Sequence, residues 1–377
     1  MSGFFLSPRI AWGTGAVEQL SGLGVRRAVM LVDPAVAQRD GGRRLVEELA
    51  KCDTAVEVVT ASERAPYLDE VDRLFERLRA HPPDALVALG GGRTIDAAKA
   101  VRLRLARPEL VLTELPPILD LPPPDLLLVA APTTSGSGAE ASWAADLRTP
   151  EGLPLELAHR SLIPDWALLD PALAASRSPA ERADGALEAL ALACEAYLSA
   201  WANPLSDALA LDAAATVVRR LPHAVRWSDD PEAPAALHYA ASAAGLAASN
   251  AQRGLAHALA RALEVPSGLP YGRLLGLLLP GVLDFAHPSA RERLERLAER
   301  TRGPEDRGDV GLGQRLRRLY PQLPFPTTLR AAGGKVDRVE AERSAIVTQA
   351  LRSPAALANP RVPRAADVDA LIAGVLG

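Results

Sequence analysis

The chain has 377 residues, 48% of them hydrophobic, which is enough for two separate cores and too apolar for a disordered chain. Its net charge of −4 and isoelectric point near 6.0 come from acids and bases mixed along the chain. No basic face of the kind that phosphate neutralisation requires stands out, so nucleic acid is excluded as a partner. Only Cys52 and Cys194 are present, too few and too isolated for a disulfide framework or a cysteine metal cluster. The start MSGFFLSPRI has neither a basic segment nor a long apolar run, so the reading is a reduced, cytoplasmic protein with no membrane partner. Lysine occurs three times, at Lys51, Lys99 and Lys335, against 39 arginines.

From residue 28 to 170 short β-rich runs alternate with helical stretches. In order they are AVMLVD, a helix near 40–51, AVEVVT, a helix near 68–80, ALVALG, a helix from 94, DLLLVAAPTT and WALLD. Apolar runs alternating with amphipathic helices predict a parallel sheet covered on both faces, the doubly wound α/β arrangement. Beyond DPALAASRSPAERADG the character changes. Ser178 and Glu181 have capping-box spacing with Pro179 at the first helical position, and alanine and leucine then dominate with no convincing strand. The expected domains are therefore 1–175, a Rossmann-like dinucleotide-binding α/β domain, and 176–377, an all-helical substrate domain. Helix breaks are expected at Pro204, Pro222, Pro266 and Pro270, and RGPEDRGDVG reads as a loop.

Within ALVALGGGRTIDAAKA, Gly90, Gly91 and Gly92 lie between a buried strand and a helix. Backbone without side chains can approach a pyrophosphate closely, and the amides and positive dipole of the helix start face the anion. Three further stretches stand with this loop: WGTGAVEQL (12–20), APTTSGSGAEAS (131–142) and NPLSDALAL (203–211). Together, over essentially the full chain, they resemble the iron-containing (group III) alcohol dehydrogenase family, relatives of dehydroquinate synthase. The resemblance implies a cofactor and a substrate held in the cleft between the two domains. It matches the family's cofactor positions to Asp96, Lys99, Thr133, Thr134 and Ser137, with Arg93 where the family usually has serine. Asp33, at the end of the first strand, adds a carboxylate that accepts bonds from ribose hydroxyls and repels a 2′-phosphate, so NAD(H) is favoured over NADP(H). The alternative reading of Asp33 is a strand-end turn with Pro34.

The same resemblance implies a divalent metal held by one aspartate and three histidines. Those positions fall at Glu188, Leu192, His257 and Tyr271, and a further family histidine near the substrate falls at Arg261. Leucine cannot coordinate an ion and neutral tyrosine is a poor ligand for a hard cation, so metal is expected to be absent. Glu188, His257 and an ionised Tyr271 are the remaining candidates for a rebuilt site. Without metal, carbonyl polarisation falls to proton donors: Tyr271 to the developing alkoxide, His257 as a relay, and Arg261 as a clamp for a substrate anion. The function expected is metal-independent NAD(P)(H)-dependent oxidation or reduction of a small alcohol or carbonyl, an anionic one where Arg261 is used, with maleylacetate reductase as the precedent. The alternatives are a non-catalytic dinucleotide-binding paralogue, acting as a partner subunit or sensor, and a metal-dependent dehydrogenase. A dehydroquinate synthase-like cyclase needs several lysines, and Lys99 alone lies near a motif. A small-molecule substrate and a homo-oligomer, a dimer first, complete the expectation.

Overall fold

Strands whose residues are apolar at every position, such as ALVALG, can be buried only if both sheet faces are covered. In the computed structural model, residues 5–37, 40–51, 53–62, 66–116, 119–121, 124–175, 177–226, 232–303, 310–323 and 325–377 are described. Cys52 and the middle of the expected loop at 302–311 lie outside the described residues. The chain divides into two units, one formed by Met1–Thr134 with Gly138–Ser176 and the other by Ser135–Ser137 with Arg177–Gly377.

The strands of the first unit are β1 (Arg9–Trp12), β2 (Arg27–Val32), β3 (Ala55–Thr60), β4 (Ala85–Gly90), β5 (Leu127–Pro132), β6 (Ala144–Arg148), β7 (Pro154–Ala158) and β8 (Trp166–Leu169). Six of them make one sheet in the order β1-β8-β5-β4-β2-β3, parallel throughout, and β6 pairs with β7 antiparallel. The helices are α1 (Pro34–Ala37), α2 (Asp40–Ala50), α3 (Leu68–Leu78), α4 (Gly92–Ala106) and α5 (Pro171–Ala174). The period of two along each strand sorts its side chains between the faces. Val29, Leu31, Leu86, Ala88, Leu128 and Ala130 pack with Val71 of α3 and Ile95 and Val101 of α4. On the other face Ala28, Met30, Val32, Val87, Leu89 and Ala131 pack with Leu45 and Leu49 of α2 and with Val17 and Leu20. Each fully buried leucine or valine among them contributes about 1.5–3 kcal/mol of transfer free energy.

The sheet is the doubly wound one expected with β1 added at its edge, and β6 and β7 form a separate pair that was not expected. β1, RIAW, is a four-residue edge strand, and β6 and β7 carry Asp146, Arg148 and Glu156 among their apolar residues, so none of the three forms an apolar run. The WGTG stretch turns at Gly13 (φ 104°) and Gly15 (φ 88°), a backbone region that favours glycine. Its amides are taken up at the end of β8 and just beyond it: Gly13 N–H donates to the Leu169 carbonyl at 3.1 Å and Gly15 N–H to the buried Asp170 carboxylate at 3.0 Å.

The second unit is helical among its described residues. It contains α6 (Pro179–Leu198), α7 (Pro204–Arg226), α8 (Glu232–Ala251), α9 (Leu255–Ser267), α10 (Tyr271–Arg300), α11 (Leu312–Leu319), α12 (Val336–Ala341), α13 (Arg343–Arg352), α14 (Pro354–Leu357) and α15 (Ala365–Leu376). The expected capping box forms, with Ser178 accepting from Glu181 N–H and the Glu181 carboxylate accepting from Ser178 N–H. Alanines at 186, 189, 193, 210, 213, 214, 240, 241 and 244 are buried, and their small side chains let α6, α7 and α8 approach closely. Among the expected breaks, Pro204 opens α7 and Pro270 precedes α10, but Pro222 lies inside α7 and Pro266 inside α9. A proline inside a helix costs about 3 kcal/mol. Around Pro222 the buried Leu221, Ala224 and Val225 offset that cost, so the helix runs on to Arg226. The α9 helix ends at Gly268, whose φ of 71° and bond to the Glu264 carbonyl close its C-terminus. Among the described residues no helix is long and apolar enough to cross a membrane.

The packing of α10 on α6 depends on glycine. A Cβ on Gly272 would lie 2.6 Å from the Asp184 carbonyl oxygen. Gly272→Ala is therefore expected to destabilise the protein by about 1–3 kcal/mol, read as a lower urea midpoint. Gly374 in α15 has open space around it, and Gly374→Ala is expected to stabilise the protein by up to ~1 kcal/mol, read as a higher urea midpoint.

Candidate functional site

In a parallel sheet the backbone groups at the carboxyl ends of the strands point out of the sheet, and a ligand crevice forms where the strand order reverses. That reversal lies between β2 and β4. Asp33 follows β2 and Gly90 ends β4, and the two segments are joined by a bond from Asp33 N–H to the Leu89 carbonyl at 2.9 Å. Gly90 leaves no room for a side chain: a Cβ there would sit 2.4 Å from Thr94 Oγ1 and 3.0 Å from Asp33 Cβ. Thr133 N–H donates to the Gly90 carbonyl at 3.0 Å, and Thr134 lies against Gly91. The α4 helix starts at Gly92, two residues before the expected start, with Gly91 as its N-cap and no side chain capping it. The geometry fits a dinucleotide phosphate: a glycine backbone and the uncapped start of a 15-residue helix at the strand-order reversal.

The other residues matched by resemblance are placed differently. The Asp33 carboxylate accepts from Ala35 N–H at 2.8 Å, so it makes the local turn and also stands at the strand end beside Gly90. Arg93 is exposed. Asp96 and Lys99 are buried and face β6: Asp96 accepts from Asp146 N–H at 3.1 Å, and the Lys99 ammonium donates to the Ala144 carbonyl at 2.6 Å, with Ser142 Oγ and Asp96 each at 3.3 Å. Together they fasten the β6–β7 pair to α4. Ser137 is half-buried, in the short segment that belongs to the helical unit. In that segment Ser135 Oγ lies 3.1 Å from His238 Nδ1, and a Cβ on Gly136 would meet the Glu188 carboxylate at 2.8 Å.

In the helical unit, Glu188, Leu192 and Glu195 share one face of α6 by their spacing of four and three. Leu192 is buried among hydrocarbon. On α9, His257 and Arg261 are one turn apart and both buried, at 2% and 6% exposure. The structure brings His257 and Tyr271 together: their ring centroids are 6.0 Å apart, edge to face, and the Tyr271 hydroxyl is 3.4 Å from the His257 carbonyl oxygen. The residue that sequence reasoning missed is Glu195. Its carboxylate accepts from Gly254 N–H at 2.9 Å, from Ala256 N–H at 2.5 Å and from His257 Nδ1 at 2.5 Å. Its place on the Glu188–Leu192 face was the available signal.

The positions that the resemblance matches to the family's metal ligands are Glu188, Leu192, His257 and Tyr271. Leu192 is buried hydrocarbon with no donor atom, and Glu195 engages Nδ1 of His257. Among the described residues no three His, Cys, Asp or Glu side chains are grouped so that they could hold one metal ion.

Burial pushes the Lys99 ammonium below its ordinary lysine value, against the opposing pull of Asp96. Between that lowered value and 10.5 the unfolded chain holds a proton that the folded chain does not, so this group makes stability rise with pH. Lys99→Met removes the dependence. The gap in urea stability between wild type and Lys99→Met is expected to move in favour of the wild type as pH rises towards 10.5; a gap that stays constant would mean Lys99 is buried charged.

The family model for iron-containing alcohol dehydrogenase matches residues 7–171, and the C-terminal model of the Fe-containing alcohol dehydrogenase family matches 182–376. The probable alcohol dehydrogenase EutG of Escherichia coli is 32% identical over 330 residues, covering 83% of each chain. The NADPH-dependent butanol dehydrogenase of Clostridium saccharobutylicum is 28% identical over 370 residues, covering 96% of this chain and 94% of that one. The solved iron-containing alcohol dehydrogenase of Thermococcus thioreducens superposes with a TM-score of 0.90 at 27% identity, covering 99% of both chains. With both halves matched in order, this chain belongs to the iron-containing alcohol dehydrogenase family and is an alcohol-dehydrogenase-like oxidoreductase.

Proposed function

We propose that this family member reduces a small carbonyl, or oxidises the corresponding alcohol, without a metal ion and with NAD(H) in preference to NADP(H). The observation that carries the reading is Leu192, a buried hydrocarbon at a position where a metal site needs a donor. The polar side chains at the other matched positions, Glu188, His257 and Tyr271, can carry protons. A nicotinamide dinucleotide, when bound, supplies or accepts the hydride. Tyr271 gives its hydroxyl proton to the carbonyl oxygen as that oxygen becomes an alkoxide, and His257 returns a proton to the tyrosine. In oxidation the same protons move the other way. Arg261, one turn from His257, offers a planar fork of N–H donors that suits a substrate carboxylate or phosphate.

The Gly90–Gly92 backbone and the start of α4 would hold the pyrophosphate, with Thr134 against the loop and Asp96 and Lys99 supporting it through β6. Family membership leaves the choice of dinucleotide to local chemistry. Here a carboxylate at Asp33 favours ribose hydroxyls and disfavours a 2′-phosphate.

The test is elemental analysis of protein purified without chelator from iron- and zinc-supplemented culture, paired with NADH oxidation against small aldehydes and keto acids. Turnover at well under one equivalent of metal is the expected result; near-stoichiometric metal required for turnover would overturn the reading. Dinucleotide binding with no turnover on any carbonyl would instead favour a non-catalytic paralogue. Tyr271→Phe is expected to lower kcat by roughly 100- to 10,000-fold, the range for loss of a general acid, while NADH binding stays intact. Asp33→Gly is expected to raise kcat/KM for NADPH relative to NADH; an unchanged ratio would remove Asp33 from cofactor selection.

A further inference from the structure

We infer that Glu195 is the positioning residue of the site: it holds the His257 imidazole in one orientation and one tautomer, with Nδ1–H directed at the carboxylate. The inference rests on the proposed part of His257 in proton return. The α9 helix begins at Gly254 with no side-chain cap of its own. Its first amides are instead met by a carboxylate reaching from α6, 3% exposed, with one oxygen accepting from Ala256 N–H and the other from Gly254 N–H and His257 Nδ1. Nothing larger than glycine fits at 254, because a Cβ there would lie 2.9 Å from the Glu195 carboxyl carbon. The two backbone bonds fix the carboxylate, and the fixed carboxylate fixes the ring.

The tautomer follows from donor chemistry. A carboxylate accepts and does not donate, so the ring nitrogen 2.5 Å from it carries the hydrogen. Nε2, on the opposite edge of the ring, is then the nitrogen left for proton exchange in the reaction. A ring free to turn would offer either nitrogen in either state and lose the geometry that proton return needs. The edge-to-face packing of Tyr271 against the ring, at 6.0 Å between centroids, acts in the same direction. Glutamine cannot replace this arrangement. It has one oxygen for the three N–H groups, so either the Ala256 amide or the pair formed by the Gly254 amide and His257 Nδ1 loses its acceptor.

The experiment is long-range ¹H–¹⁵N NMR of the full chain labelled with ¹⁵N-histidine, with His257→Asn identifying the His257 signals. Kinetics and NADH binding are measured on the same proteins. Expected in the wild type is a protonated Nδ1 on His257. In Glu195→Gln that signature is lost and kcat falls on the order of 10- to 100-fold, the range for removing an orienting partner of a site imidazole, while KM for NADH changes less than about twofold. An unprotonated Nδ1 in the wild type overturns the inference without any variant, which keeps it testable should Glu195→Gln not fold. A Glu195→Gln protein with wild-type kcat overturns it as well. If His257→Asn leaves kcat unchanged, the proton-return reading fails by itself, and the wild-type spectrum still decides whether Glu195 holds the ring.

Discussion

A helix start leaves its first backbone amides without partners inside the helix, and something must meet them. The helices α4 and α9 each start after a glycine with no side-chain cap, and the two candidate sites are built on those starts. At α9 the amides are met by Glu195, which reaches across from α6 and takes His257 in the same grip. At α4 the glycines keep side chains away from the amides, which suits an anionic ligand better than a protein group. One constraint of backbone chemistry thus gives a protein-satisfied helix start that orients a side chain and a ligand-facing one that suits a phosphate.

The proposed loss of metal sets the local residues against the family's usual chemistry. The chain keeps the fold of iron-containing alcohol dehydrogenases, while by resemblance the family's ligand positions fall on a leucine and a tyrosine at two of four places. A fold tolerates such changes because Leu192 adds to the apolar core of its unit, whereas coordination requires lone pairs at fixed positions. The carboxylate, imidazole and phenol of Glu188, His257 and Tyr271 are groups that can move protons.

The fold was legible wherever one element carried its own pattern. Apolar runs revealed β2, β3, β4, β5 and β8, and the Ser178–Glu181 spacing marked the start of α6. The glycine loop disclosed the start of α4 to within two residues. Strand β1, with four residues at a sheet edge, and the charged β6–β7 pair gave no apolar run to detect. Pro222 misled because its local cost is visible in sequence while the burial that offsets it is not.

The sequence by itself determined the parallel sheet, the helical second half and the glycine loop between β4 and α4, since each follows from residue type and spacing within one segment. Only the tertiary structure decided that Lys99 and Asp96 fasten β6, that Asp33 stands beside Gly90, and that Glu195 grips His257 from 62 residues away. Such pairings are made between elements. They depend on which helix face meets which loop, and no local periodicity carries that information.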